Sequence, residues 1–386
     1  MISDKAQGSK TVSICHVTSA HTRYDIRIFV KECVTLANLG YKVSLIVADD
    51  LGDEIKHGVN IIDVGKPSRR FSRMLKTPYM IYRKILELKF EVVHFHDPEI
   101  LLIGYKLAKK GIQVIYDVHE DLPKQVQSKH WIPRMMRPLV SFGVSHLEQF
   151  CSKRFVGIIT ATPIIAKRFS RYNSHVIAVC NYPLLSELSN LNVNWDSRQD
   201  KLSYIGSISR TRGIQELVIS LSISHLDLEL AGLISGDISL ENLSKLDGYQ
   251  YVNYIGVLDR EQIADLLSRV KIGLVTLLPT PSYVESLPIK LFEYMLAGIP
   301  VIASNFKLWQ DIIKKYECGV LVNPHKPQEI ANACVFLLNN QDIAKNMGEN
   351  GRKAVLNYFN WEVESNKLNS FYKKLKTCSK TQLYEL

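Results

Sequence analysis

The sequence lacks the long apolar runs of a membrane-spanning chain. None of its 386 residues belongs to a stretch that approaches the roughly 18 uninterrupted apolar residues of a transmembrane helix. The polar start of the chain, residues 1–5, leads into no apolar signal core, so we expect no export and a cytoplasmic location. With 46% hydrophobic residues, 20 glycines and 14 prolines, the composition also excludes a disordered, collagen-like or low-complexity chain.

Paired cysteines and several common enzyme motifs are also missing. The seven cysteines are odd in number, widely spaced and without a CxxC pair, which argues against zinc ribbons and redox sites and favours free thiols in a reducing compartment. There is no GxGxxG after a strand, no GxxxxGK[ST], no HExxH and no GxSxG. Alternation places His94 and His96 on one sheet face with no third ligand in view, so no metal site is expected.

Positive charge is concentrated in the first half of the chain. Residues 1–185 contain 27 Lys and Arg against 16 Asp and Glu, within a formal net charge of +10 for the whole chain. A basic half attracts anions such as nucleic acid, an acidic membrane surface or a phosphorylated lipid, or it is merely a solvated basic surface. Because no nucleic-acid-binding module is recognisable, no nucleic-acid partner is expected.

Apolar runs alternate with helical stretches along both halves of the chain. This pattern predicts parallel sheets covered on both faces: a Rossmann-like domain over 1–183, a linker over 184–200, a second Rossmann-like domain over 201–360 and a C-terminal helix from Trp361 that crosses back to the first domain, before a frayed tail. A cleft between the strand ends of two such domains is a common ligand site. Strands are predicted at 11–18, 43–48, 59–64, 92–95, 113–118, 156–160, 176–179, 202–205, 228–230, 252–255, 272–277, 301–303 and 319–322, and helices at 25–38, 260–269, 289–296, 328–338, 343–358 and 361–375.

The segment ESLPIKLFEYMLAGIPVIAS, residues 285–304, is the most informative. Pro288 suits the first position of a helix, which leaves the amides of Ile289 and Lys290 free to bind a phosphate with the helix dipole. Lys290 and Glu293 are three residues apart and share a helix surface, so a cation would flank the phosphate and a carboxylate would accept from ribose hydroxyls. The alternative is a surface helix with an ordinary solvated Lys290–Glu293 pair.

The two glutamates of that segment, which are separated by seven residues, resemble the signature of the retaining family 4 glycosyltransferases of the GT-B fold. The resemblance covers nearly the whole chain, since four further motifs are similar to those of bacterial members that build surface polysaccharides. They are YDIRIFVKE (24–32), HFHDPE (94–99), YDVHED (116–121) and YIGSISRTRG (204–213). The implied fold is α/β GT-B, two doubly wound parallel-sheet domains facing a central cleft.

The resemblance implies roles for matching positions of the second domain. Glu293 corresponds to the ribose-binding glutamate and Glu285 to the one that faces the donor sugar, while the amides of Leu287 and Ile289 would approach the diphosphate. Gly256, Val257 and Leu258 resemble the loop against which the base packs.

Two cation positions and one histidine follow from the same resemblance. Arg212 occupies the place of the phosphate-binding lysine, and Ser207 stands where the family usually has an arginine, a contact that Arg210 or Lys290 would replace. His119 resembles the histidine near the donor sugar, or it is satisfied locally by Asp117 or Glu120. In the first loop, Arg23 and Arg27 would hold an anionic acceptor, or Arg27 pairs with Asp25 or Glu32.

These features predict a transferase that moves a sugar from a nucleotide diphosphate donor to a hydroxyl acceptor, with no cofactor. The sequence has no Asp-x-Asp triplet, so Arg212, Lys290 and the helix start, rather than a metal, would neutralise the leaving diphosphate. The alternatives are a nucleotide-sugar 2-epimerase of related shape and a protein that binds nucleotide sugars without turnover.

A basic and apolar stretch predicts contact with the inner membrane surface, where a lipid-linked glycan would be the acceptor. The alternative is an amphipathic helix packed on its own domain. Its residues are Lys124, Lys129, Trp131, Ile132, Arg134, Met135, Met136, Arg137 and Leu139.

Overall fold

The computed structural model describes residues 12–66, 70–129, 132–188, 191, 194–236 and 238–377. The chain divides into two compact units, one of residues 1–180 with 364–386 and one of residues 181–363. Each unit has its own sheet. No helix in the described ranges is both long and apolar enough to cross a membrane.

The first unit contains a mixed sheet flanked by helices. A π-helical segment, Ile26–Cys33, runs directly into the first α-helix. The strands are β1 (Ser13–Val17), β2 (Lys42–Val47), β3 (Glu54–Lys56), β4 (Val59–Asp63), β5 (Val92–Phe95), β6 (Gln113–Val118), β7 (Gly157–Thr160) and β8 (Val176–Ala178), and the helices are α1 (Val34–Asn38), α2 (Arg70–Leu88), α3 (Leu101–Lys109), α4 (Leu122–Ser128), α5 (Arg137–Ser152) and α6 (Pro163–Phe169). The strand order is β3-β4-β2-β1-β5-β6-β7-β8, and β3 is the one described strand that pairs antiparallel.

The second unit contains a parallel sheet of six described strands. The strands are β9 (Gln199–Ile205), β10 (Leu228–Ala231), β11 (Val252–Gly256), β12 (Val270–Val275), β13 (Val301–Ser304) and β14 (Gly319–Val322). Their order in the sheet is β11-β10-β9-β12-β13-β14. The helices of this unit are α7 (Ile214–Ser224), α8 (Leu240–Ser244), α9 (Arg260–Arg269), α10 (Ile289–Leu296), α11 (Lys307–Tyr316), α12 (Pro327–Asn339) and α13 (Gln341–Asn357). The last helix, α14 (Trp361–Thr377), begins in the second unit and continues in the first.

The predicted class, two α/β parallel-sheet domains, is confirmed. Helices α9 and α10 and strands β5, β6 and β14 begin and end where the sequence predicts. Asp25 caps the first helical segment, because its carboxylate accepts from the amides of Arg27 and Ile28 at 2.9 Å. The sequence analysis missed β3, whose three residues are too short to show an alternating pattern.

The chain passes from one unit to the other at two places, between residues 180 and 181 and between residues 363 and 364. Of the segment 184–200, the described part lies in the second unit, where Trp195 is buried and its Nε1–H donates to Gln341 at 3.1 Å. Asn190 and Asn192 lie outside the described residues. Helix α14 begins in the second unit, and its residues from Glu364 onward group with the first.

Candidate functional site

Tyr294 fixes helix α10 on the sheet of the second unit. Its buried hydroxyl donates to the carbonyl of Ser203 at 3.1 Å and accepts from the amide of Ile205 at 2.9 Å. Its ring covers Gly273 on β12 so closely that a Cβ there would lie 2.2 Å from a ring carbon. Because α10 follows the parallel strand β12, this packing holds the helix start at the carboxyl end of the sheet.

Helix α10 begins at Ile289 as predicted, but Pro288 does not occupy its first position. Pro288 is the N-cap residue, with extended backbone (ψ 129°), and the helix begins at Ile289. The Leu291 amide bonds back to the Pro288 carbonyl at 3.1 Å. The amides of Ile289 and Lys290 precede it in the first turn, where helix geometry offers no intrahelical acceptor. Leu287 lies in the loop directly before the cap.

Glu293 is buried and held by two cations. Lys290 Nζ lies 2.5 Å from Glu293 Oε2, and Arg260 Nη1 lies 2.9 Å from Glu293 Oε1. Burial raises the pKa of Glu293, but the charges of Lys290 and Arg260 outweigh it and hold the pKa below its ordinary value. The Lys290–Glu293 pair that the alternative expects is present, but it is not solvated, because only 1% of the Glu293 side chain is exposed. The Lys290 ammonium is directed at Glu293, and its contact with a phosphate stays a prediction.

Sequence reasoning missed Arg260. This residue opens α9, and its Nη2 also lies 2.8 Å from Glu187 Oε2, so one guanidinium joins three segments. The sequence predicts only that Arg260 belongs to a helix, because no local pattern connects positions 33 residues apart. The one sequence signal is its place just after β11, at the sheet edge where the other candidate residues are expected.

Arg212 lies at the end of a tight turn that follows β9. The turn, Arg210–Arg212, ends at Gly213, whose φ is +73° and whose added Cβ would lie 2.0 Å from the Thr276 carbonyl. The Arg212 guanidinium lies over the Tyr283 ring, 5.0 Å from its centroid. Tyr283 is two residues before Glu285, so the turn brings a cation beside the loop that leads into α10.

Trp309, on helix α11, forms a hydrogen bond to the backbone of that loop. The buried indole Nε1–H donates to the Ser286 carbonyl at 2.7 Å, and the Ser286 amide donates to the Tyr283 carbonyl at 3.1 Å. Glu285 is half-buried in the same loop. The described geometry therefore gathers Glu285, Arg212 and the start of α10 at one edge of the sheet.

The remaining predicted residues of this unit lie around the same edge with different exposure. Ser207 Oγ lies 2.6 Å from Ser235 Oγ, so the position without the family arginine is occupied by a serine pair. Arg210 is exposed. Gly256 ends β11, and of the two residues that follow, Val257 is 68% exposed and Leu258 half-buried.

In the first unit, His119 contacts a buried carboxylate. Its Nε2 lies 3.0 Å from Asp117 Oδ2 and 3.2 Å from His96 Nδ1. Burial raises the pKa of Asp117, but the Arg27 guanidinium, in two contacts of 2.8 and 3.0 Å, and His119 outweigh it and lower that pKa well below its usual range. Asp117 is therefore the local partner that the alternative interpretation of His119 expects. A role of His119 near the donor sugar stays a prediction.

Arg23 in the first loop and Arg27 in the π-helical segment both contact acidic side chains. Arg23 contacts Asp49 at 2.6 Å and Glu54 at 2.7 Å, and Arg27 contacts Glu32 at 3.2 Å in addition to Asp117. The alternative that Arg27 pairs within its own domain is confirmed for Glu32. A role for either arginine in holding an anionic acceptor gains no support from these contacts, because the guanidinium groups already bind carboxylates.

The expectation that His94 and His96 lack a third ligand-type neighbour is wrong. Strands β1 and β5 are adjacent and pair His16 with His94, and Glu32 packs against them from the helical segment. His16, Glu32, His94 and His96 each bring one nitrogen or oxygen atom within 4.8 Å of the others. The sequence does not reveal this because strand order in a parallel sheet is not sequence order.

Two family models match successive parts of the chain. The model for glycosyl transferases group 1 matches residues 190–354, and the model for glycosyltransferase family 4 matches residues 27–181.

Curated relatives are distant. An uncharacterized glycosyltransferase of Methanocaldococcus jannaschii is 22% identical over 183 residues, 45% of each chain. An MMP alpha-(1->4)-mannosyltransferase of Mycolicibacterium hassiacum is 22% identical over 74% of this chain and 71% of that protein. A capsular polysaccharide biosynthesis glycosyltransferase of Staphylococcus aureus is 26% identical over 44% of this chain. The chain thus spans about half the length of several relatives that it matches: 45% of the first and third.

Solved structures share the fold over nearly the full chain. Sucrose-phosphate synthase from Thermosynechococcus elongatus has a TM-score of 0.75 at 20% identity, covering 95% of this chain and all of that one. Anabaena HepE in complex with UDP-glucose has a TM-score of 0.71 at 12% identity, covering 94% and 99%. At these identities the likeness concerns the fold, which is GT-B.

Proposed function

We propose that this chain, whose two parts match the models for glycosyl transferases group 1 and glycosyltransferase family 4 and whose fold is GT-B, moves a sugar with retention from a nucleotide diphosphate sugar to a hydroxyl acceptor. The proposed donor is a hexosyl or N-acetylhexosaminyl UDP-sugar. The proposed acceptor is a lipid-linked glycan of surface polysaccharide synthesis. Anabaena HepE, solved with UDP and with UDP-glucose, and the capsular relative of Staphylococcus aureus support these choices.

One observation supports the proposal most directly: Arg212 lies over Tyr283, in the loop that leads into α10. This contact brings a guanidinium to the edge where the amides of Ile289 and Lys290 emerge. Both features stabilise negative charge, which is the charge that a departing diphosphate acquires. Arginine is suited to this task because its fork grips two phosphate oxygens.

The proposed reaction breaks the bond between the anomeric carbon and the diphosphate oxygen. The acceptor oxygen bonds to that carbon on the same face, and its proton passes to the leaving phosphate oxygen. In this proposal Arg212 and the helix start stabilise the diphosphate, Glu285 faces the sugar, and Glu293 accepts from ribose hydroxyls. No metal is assigned to the diphosphate.

A donor screen tests this function. The full chain is incubated with UDP-, GDP- and ADP-sugars with and without glycan acceptors, and products are resolved by NMR. We expect slow hydrolysis of one donor class without acceptor and a product of retained anomeric configuration with it. Formation of a 2-epimer without acceptor would identify an epimerase, and donor binding without any product would identify a non-catalytic binding protein; either result contradicts transfer.

Two variants test the assigned roles. We expect Glu293→Ala to weaken donor binding at least tenfold, about 1.4 kcal/mol. Arg212→Ala should lower kcat strongly while leaving the unfolding temperature close to that of wild type. Arg269→Ala, an exposed arginine of the same unit, is the matched control. If Arg212→Ala unfolds the protein, Arg212 is a structural residue and the phosphate role is wrong.

We also propose that the surface around α5 contacts an anionic membrane. Met135 is 94% exposed, Leu139 70% and Phe142 62%, beside the exposed Arg134. Ile132 is buried and does not belong to this surface, and Arg137 donates to the carbonyls of Ile132 and Gln127. Trp131 lies outside the described residues. Large exposed apolar groups beside cations are the combination that binds an acidic bilayer surface.

Vesicle sedimentation tests the membrane contact. We expect the chain to sediment with phosphatidylglycerol vesicles and not with phosphatidylcholine vesicles, and Leu139→Asp to reduce sedimentation. Leu51→Asp is the matched control, because Leu51 is also 70% exposed in the same unit but lies elsewhere. Equal sedimentation of both variants would contradict the assignment.

A further inference from the structure

A buried cluster in the first unit combines three histidines and a glutamate. His16 lies on β1, His94 on β5, His96 just beyond β5, and Glu32 in the segment that precedes α1. Their side chains are almost wholly excluded from solvent. One ligand-type atom from each lies within 4.8 Å of the others. We propose that these four residues bind one Zn²⁺ ion, at a site separate from the diphosphate-binding residues of the second unit.

The spacing of the four side chains suits zinc. His16 Nδ1 lies 3.0 Å from His96 Nε2, and Glu32 Oε2 lies 3.9 Å from both His16 Nδ1 and His94 Nε2. In a tetrahedral site with ligand bonds of about 2.0–2.2 Å, neighbouring ligand atoms lie about 3.4 Å apart. These three separations lie on either side of that value, and all four ligand-type atoms lie within 4.8 Å of one another, so zinc binding would draw the side chains together.

Several polar atoms of the cluster have no hydrogen-bond partner. They include both carboxylate oxygens of Glu32, His94 Nε2 and His16 Nε2. Arg27 Nε forms an ion pair with Glu32 Oε1 at 3.2 Å. The other carboxylate oxygen, Oε2, lies on the side of the histidines. Burying a polar atom without a partner is costly, and a bound cation would satisfy Glu32 Oε2 and His94 Nε2 together.

Outer partners hold two of the rings with a nitrogen facing the cluster. His96 Nδ1 lies 3.2 Å from Asp117 Oδ2, and an ionised carboxylate accepts only, so the His96 proton is assigned to Nδ1 and Nε2 keeps its lone pair. Asp117 is in turn fixed by Arg27. His94 Nδ1 lies 2.8 Å from the Tyr372 hydroxyl, which leaves Nε2 toward Glu32. Carboxylate or hydroxyl partners behind a ligating histidine are typical of metal sites.

The donor set selects the kind of ion. Three imidazoles and one carboxylate favour zinc among the common ions, whereas calcium and magnesium prefer sites built of oxygens. Four protein ligands without an open position are typical of a structural zinc site. The expected effect is therefore on the stability of the first unit, where the ion would tie β1, β5 and the Glu32 segment together.

Metal analysis of the full chain tests the site. The chain is stripped with a chelator, titrated with Zn²⁺ and dialysed, and bound zinc is measured by mass spectrometry. We expect one Zn²⁺ per chain, a higher unfolding temperature with zinc, and, with Co²⁺ in its place, the visible absorption of a tetrahedral ion. His94→Gln and Glu32→Gln should lose at least nine-tenths of the bound metal. His146→Gln, at an exposed histidine of α5, should keep it.

Three results would overturn the proposal. The first is a wild-type chain that binds no zinc, which is decisive even if a variant fails to fold. The second is unchanged zinc in a folded His94→Gln chain, or its loss in His146→Gln, which would place the ion on the surface. The third is loss of zinc in His119→Gln with retention in Glu32→Gln, which would assign the ion to the overlapping set of His96, Asp117 and His119.

Discussion

Arg260 and Glu293 form a salt bridge of 2.9 Å that ties the start of α9 to the buried face of α10. The Arg260 side chain is 30% exposed, whereas that of Glu293 is 1% exposed. The arginine therefore reaches inward from the surface and, with Lys290, compensates a carboxylate that burial would otherwise neutralise.

Removal of the Arg260 side chain tests whether this bridge positions Glu293. We expect Arg260→Ala to weaken UDP binding about tenfold, roughly 1.4 kcal/mol, because a hydrogen bond to a charged group is lost and Glu293 gains freedom to turn. Isothermal titration calorimetry measures the change. Arg269→Ala, at the exposed end of the same helix, should bind as wild type. If both variants bind equally, the bridge does not position Glu293.

The charge of Glu293 predicts a pH dependence of stability. Its pKa in the folded chain lies below the ordinary value, so it contributes stability above about pH 4.3, the pKa of an unfolded glutamate, and this contribution is lost as pH falls through the folded pKa. Wild type should therefore exceed Glu293→Gln in free energy of unfolding near neutral pH, and the difference should shrink toward pH 3. Urea unfolding across this range measures it, with the exposed Glu261→Gln as control. A difference that grows in acid would show the opposite shift.

Substitution of two glycines with positive φ distinguishes the cost of backbone strain from the cost of a steric clash. Gly213 and Gly256 have φ of +73° and +76°, but an added Cβ meets the Thr276 carbonyl at Gly213 and nothing within 4 Å at Gly256. We expect Gly256→Ala to cost about 1 kcal/mol and Gly213→Ala about 3 kcal/mol or more. Chemical unfolding of both variants measures these costs. Equal costs would mean that the turn shifts to avoid Thr276.

The hydrogen bond from the Trp309 indole is expected to restrict the motion of the loop that contains Glu285. Trp309→Phe keeps the ring but removes the donor to the Ser286 carbonyl, so about 1 kcal/mol of stability should be lost locally. Hydrogen exchange across residues 276–288 should become faster. Trp195→Phe is the matched control, because it removes an indole bond to Gln341 elsewhere in the same unit. Unchanged exchange in Trp309→Phe would show that other contacts hold the loop.

The local elements of this protein can be predicted from the residues along the chain. Continuous apolar runs such as Val92–Phe95 and Gly319–Val322 predict buried parallel strands, and Pro288 and Gly298 mark the two ends between which α10 lies. The motif around Glu285 and Glu293 resembles a glycosyltransferase signature and is readable without any tertiary contact. These signals are readable because strand burial, helix ends and short motifs depend on neighbours along the chain.

The contacts between side chains far apart in sequence cannot be predicted in this way, because they depend on the folded chain. Arg260 reaches Glu293 across 33 positions. His16 reaches His96 across 80 positions because β1 lies between β2 and β5 in the sheet. The burial of Ile132 and the pairing of Arg23 with Asp49 likewise depend on which face packs inward. Sheet order and side-chain packing are properties of the folded chain, since they follow from the total burial of apolar surface rather than from any local pattern.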